Sequence, residues 1–134
     1  MSIGGMRTAL AANLSAIPNL RTSATVPDKP NPPVAVIKPN SVNFDMAFAR
    51  GLDEYEFSVL LIVGRVDERT AQNKLDGYCA PSGSGSVKEA IEADKTLGGN
   101  AYDLRVREMR NYQQINVGDV IYLSAEFVVQ VFAQ

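Results

Sequence analysis

Residues 54–66 read EYEFSVLLIVGRV, and their alternation decides the architecture. Tyr55, Phe57, Val59, Leu61 and Val63 share one face of an extended chain, because successive strand side chains point to opposite sides. The opposite face begins polar with Glu54, Glu56 and Ser58, then turns apolar at Leu60 and Ile62. The spacing predicts a long strand with one face in the core and the other covered only over its second half.

Downstream the period changes. DERTAQNKLDGY, 67–78, predicts a helix with Asp67 as N-cap, acidic residues in the first turn and an inner stripe of Ala71, Leu75 and Tyr78. A Gly/Ser loop at 80–86 leads to a second helix, SVKEAIEAD, which stops before TLGGN. Two strands close the chain. In AYDLRVREM, Tyr102, Leu104 and Val106 are expected inward, with Asp103, Arg105 and Arg107 outward. In DVIYLSAEFVVQVFA, Ile121, Leu123, Ala125, Phe127, Val129 and Val131 form a continuous apolar face, and the NVGD before it suggests an antiparallel hairpin.

Upstream, Ile3, Met6, Leu10, Leu14 and Ile17 recur at helical spacing and predict an amphipathic helix stopped by Pro18. LRTSAT, 20–25, reads as a short strand. Five of the seven prolines lie between Pro27 and Pro39, with VAVIK at 34–38 the one strand-like piece among them. Residues 39–53 show no sustained period and are expected to form a long loop that serves as a contact arm. The order gives a single α+β domain over 1–134. It has a largely antiparallel or mixed sheet of about 4–5 strands, flanked by an N-terminal helix and a central helical pair.

Composition narrows the function. The 134 residues carry a net charge of −2 with no long run of one sign, unlike the concentrated basic surface of a nucleic-acid binder. The chain contains no histidine, which removes the commonest general base and metal ligand. Cys79 is the only cysteine, so neither an intrachain disulfide nor a cysteine zinc site can form, and it reads as a small, partly buried apolar residue. The first residues lack the pattern of a secretion signal, and VLLIV at 59–63 is too short to span a bilayer. These features predict a soluble protein that stays where it is made.

The loop GSGSVK, 83–88, raises a phosphate question. A P-loop places its lysine directly after the last glycine of GxxxxGK[ST], whereas here Ser86 and Val87 intervene before Lys88. The glycine spacings of a dinucleotide fingerprint and of a hydrolase elbow fail as well. The same letters fit a capping box: Ser86 accepts from the amide of Glu89, and Glu89 reaches back to the amide of Ser86. Lys88 is then expected to point at water or a neighbouring subunit. Neither a cofactor nor a metal site is expected. Asp53, Glu54 and Glu56 cluster at a strand start without catalytic spacing. Glu126 sits mid-strand, either as a solvated carboxylate or at a subunit contact. Arg105, Arg107 and Arg110 make a basic stripe that reads as a solvated face or as an intersubunit salt-bridge row.

Several stretches together resemble the tail terminator proteins of long-tailed (siphovirus) phages, of the type infecting actinobacteria. They are RTALAANLSAIPNLR, NPPVAVIKPNSVNFD, FSVLLIVGRVDERTAQNKLDGYCAPSGSGSVKEAIEADKTLGG and AEFVVQVFA, which cover most of the chain from Arg7. The resemblance implies a curved sheet flanked by helices and a structural virion protein rather than an enzyme. Such proteins form a ring, typically of six subunits, at the head-proximal end of the tail tube. The ring stops tube polymerisation and joins the tail to the head-completion (stopper) protein. A location in the virion tail or neck follows, after synthesis in the host cytoplasm.

A closed ring needs two different contact faces on each subunit. Leu60, Ile62, Arg105, Arg107 and Glu126 are the candidates for subunit contact. Six copies at −2 each carry about −12, so DNA would pass through the lumen without being held. Asp53, Glu54 and Glu56 are the candidates for an acidic lumen lining. The rival readings are another neck component, such as a head-completion or connector adaptor protein, and a small nucleotide-binding enzyme using 82–88.

Overall fold

The computed structural model describes residues 3–17, 20–23, 33–44, 52–65, 70–83 and 85–133. Pro18, Asp67 with its cap, most of the proline-rich stretch and 45–51 of the expected arm lie outside the described residues. The chain runs α1 (Ile3–Leu14), β1 (Arg21–Ser23), β2 (Val34–Asn43), β3 (Asp53–Arg65), α2 (Ala71–Tyr78), α3 (Val87–Glu92), a 3-10 turn (Leu97–Gly99), β4 (Asp103–Val117) and β5 (Val120–Ala133). The strands form one open, mixed sheet in the order β1-β2-β3-β5-β4, parallel only at β1–β2. This is an α+β fold.

The alternation of 54–66 places Phe57, Val59, Leu61 and Val63 on the face that the helices cover. There they meet Ala125, Phe127, Val129 and Val131 of β5, Leu104 and Val106 of β4, and the inner stripes of all three helices. Met6, Leu10 and Leu14 are fully buried one turn apart, so the N-terminal helix holds its place by burying one side, as its periodicity requires. Each such aliphatic side chain contributes about 1.5–3 kcal/mol on removal from water. Asn13 ties α1 to the end of α3 and the turn after it by donating Nδ2 to the carbonyls of Ile91 (3.1 Å) and Asp94 (3.3 Å).

Three segments depart from the sequence reading. Residues 39–43 continue β2 rather than opening a loop, pairing with β3 from Pro39↔Phe57 to Asn43↔Glu54. Pro39 has no amide to donate, and the ladder absorbs it with a bulge in which Asn40 is the extra residue. The last two strands are longer than their apolar cores and turn through Gly118–Asp119, with Gly118 at φ +62° as a two-residue hairpin demands. Tyr102 and Ile121, expected inward, are 50% and 43% exposed and take no part in the core cluster.

The 3-10 turn holds an unusual residue. Leu97 adopts φ +49° and is nevertheless fully buried. Asp94 fixes this turn by accepting from the Thr96 hydroxyl (2.8 Å), the Thr96 amide (3.2 Å) and the Gly98 amide (2.9 Å). Those donors, the Thr96 hydroxyl first, hold the Asp94 carboxyl below its ordinary range. Gly98 and Gly99 follow at φ +64° and +95°, conformations that favour glycine.

Candidate functional site

The face of the sheet opposite the helices carries most of the residues singled out for contact, and two polar rows cross it. The first starts at the β2 bulge. Asn40 donates Nδ2 to Ser58 Oγ on β3, and Ser58 in turn bonds Glu126 on β5. From β4, Arg110 Nε donates to Glu126 Oε1 at 2.5 Å, and Asn111 Nδ2 donates to the same oxygen at 3.2 Å. Asn111 sits at φ +55° inside a second bulge, a conformation that asparagine tolerates, and this turns its amide back toward Glu126. Four strands are therefore laced through one carboxylate.

The second row runs from β4 to β3. Arg105 Nε donates to Gln130 Oε1 at 2.9 Å, and Gln130 Nε2 donates to Glu54 Oε1. Gln130 is 8% exposed, so its amide is satisfied at both ends as a buried polar group must be.

The electrostatics favour ionised carboxylates. Partial burial pushes Glu126 up, but the hydrogen bonds from Arg110 and Ser58 outweigh it and leave the group below its ordinary value. Glu92 behaves likewise: burial raises it, while Lys88 and the Val106 amide bring it down further. General-acid work near neutral pH needs a carboxyl shifted upward. Both groups are shifted the opposite way.

The expected site residues separate. Glu54 and Glu56 lie on the open face with Ser58, whereas the strand alternation puts Asp53 on the helical face, opposite Ala133. The acidic trio therefore does not line one surface. Ile62 is fully buried within its own chain, packed with Val34 and Tyr122, and Leu60 borders that cluster. The apolar second half of this face is covered as the sequence implied, but by neighbouring strands, which corrects Ile62 as a subunit-contact residue. Arg105 and Arg107 do not form a stripe. Arg107 is the extra residue of a bulge between Val106 and Glu108, and it lines a shallow cleft with Cys79, Pro81, Lys88 and Met109.

At the Gly/Ser loop, half of the expected capping box forms. Ser86 Oγ accepts from the Glu89 amide at 3.1 Å and also donates to the Ala80 carbonyl at 2.6 Å. Glu89 does not reach the Ser86 amide, which bonds the Gly83 carbonyl (3.1 Å); its carboxylate accepts from the Gly83 amide instead. Lys88 pairs with Glu92 one turn on at 2.6 Å. Glu92 Oε2 also accepts from the Val106 amide at 2.9 Å, fastening α3 to β4 beside its first bulge. Cys79 is partly buried, and burial together with the charge of Asp76 raises its thiol to about 11.

Sequence reading missed Asn40, Gln130 and Asn111. Gln130 had a signal, a lone amide in the apolar run FVVQVFA; the other two act through bulges that no local pattern marks. Among the described residues no group of three or more Cys, Asp or Glu converges as a metal site requires, and no helix is long and apolar enough to cross a membrane. No family model matches the chain, and no curated protein matches it.

Proposed function

We propose that the protein is a structural virion component, a tail terminator of a long-tailed phage. It would close into a ring on the tail tube, stop tube polymerisation and join the tail to the head-completion protein. The observation that carries this reading is the ordered series from FSVLLIVGRV to TLGG. In the fold that series supplies β3, α2, α3 and the 3-10 turn of an α+β domain whose helices share one sheet face. In such a ring Glu54 and Glu56 supply acidic character from the open face, and the DNA passes without being gripped.

The nucleotide-binding alternative is disfavoured by a specific contact. The Gly83 amide, which a phosphate would need, already holds the Glu89 carboxylate. A phosphate there would displace one anion and face its charge.

Light-scattering mass combined with negative-stain imaging tests the proposal. The expected result is a ring of about six copies of the 14.5 kDa chain, formed alone or on contact with tail tubes. A chain that stays monomeric in both conditions overturns it.

A further inference from the structure

A pocket of about 230 Å³ opens between α1 and the β1–β2 edge, lined by Arg7, Thr8 and Ala11 of α1, Thr22 and Ser23 of β1, and Ile37 of β2. Arg7, one of its lining residues, holds its Nε buried without a hydrogen-bond partner, the one buried side-chain donor so left among the described residues. A guanidinium cannot shed its proton to escape this situation, and buried donors are otherwise almost always satisfied. None of the described residues lining the pocket is acidic, so none of them offers Arg7 a counter-charge.

We propose that this pocket binds a carboxylate group. The guanidinium presents Nε–H and a neighbouring Nη–H as parallel donors, a fork that matches the two oxygens of a carboxylate. Thr8 and Thr22 also line the pocket and bring hydroxyls that can donate, and Ala11 and Ile37 add apolar surface for the adjoining carbon. One cation balances one negative charge. A phosphate dianion calls for more, either a second cation or a nest of backbone amides. The pocket is smaller than the roughly 300–1,000 Å³ of ordinary small-molecule sites, so the group is the size of acetate or propionate. An acidic side chain or chain end of a second protein copy has that chemistry, and so does a free small carboxylate.

The test follows the Arg7 Nε–Hε resonance in the full ¹⁵N-labelled chain, with Arg105, whose Nε is already bonded to Gln130, as internal control. One arm adds sodium acetate against sodium chloride at equal ionic strength, a second adds inorganic phosphate, and a third raises chain concentration without additive. Arg7→Lys assigns the signal by its disappearance; should that variant not fold, through-bond correlation from the Arg7 backbone assigns it. The expected result is a saturable downfield shift of Arg7 with acetate, while Arg105 stays still. A shift that instead follows chain concentration keeps the proposal and identifies the carboxylate as that of another copy. No movement in the acetate and concentration arms, equal movement with chloride, or tighter saturation by phosphate each overturns it.

Discussion

Arg110 on β4 and Glu126 on β5 face each other across the ladder, with Nε 2.5 Å from Oε1, and the same carboxylate takes donors from β3 and from Asn111. Because these donors hold Glu126 below its ordinary value, its ionised form favours the folded state. That contribution is complete above the unfolded value of about 4.3 and is lost as pH falls through the lower folded value. Urea midpoints of the parent chain and Glu126→Gln should therefore differ by a constant amount from pH 7 to about pH 5, then converge in more acidic buffer. A difference that persists unchanged at pH 3 would show that charge plays no part in this row.

The loop before α3 is held by Ser86. Ser86→Ala removes the acceptor for the Glu89 amide and the donor to the Ala80 carbonyl, and should lower stability by about 1–2 kcal/mol in urea unfolding. Gly83→Ala should destabilise as well, since Gly83 sits at φ +114°. Lys88→Ala removes a single pair at i, i+4, whose loss should stay near 0.5 kcal/mol.

Nucleotide should leave the protein unmoved. With Glu89 on the Gly83 amide, millimolar Mg-ATP is expected to produce no shift in melting temperature beyond that of an equal ionic strength of salt. A saturable rise that Lys88→Ala abolishes would restore the enzyme reading.

Ile62 separates a core role from an interface role. It is fully buried by Val34 and Tyr122 of its own chain, so Ile62→Ala should cost about 2–5 kcal/mol of chain stability. At conditions where both chains remain folded, sedimentation should give the same assembly state for variant and parent. A variant of parental stability that no longer assembles would place Ile62 at a subunit contact after all.

Periodicity reaches as far as local packing reaches. The strand at 54–66, the N-terminal stripe Met6–Leu10–Leu14 and the Ser86 cap were legible because each is fixed by residues near in sequence. What stayed hidden depends on strand order. Residues 39–43 look irregular alone and become strand only because β3 supplies the partners, with Asn40 set aside in a bulge. In the same way RNYQQINV is polar and patternless, and β5 makes most of it strand. The arginine stripe dissolved for a related reason: the bulge at Arg107 turns it away from Arg105, a one-residue slip that alternation alone cannot foresee. Ile62 lacked a visible cover until β5 was known to lie beside β3, bringing Tyr122 close.

The terminator reading is tested most directly by letting tail tube protein from the same phage polymerise with and without this chain and measuring tube length by electron microscopy. The expected result is tubes that stop growing when the chain is added, with a ring of it at one end. Tubes of unchanged length, with no ring at either end, would contradict it.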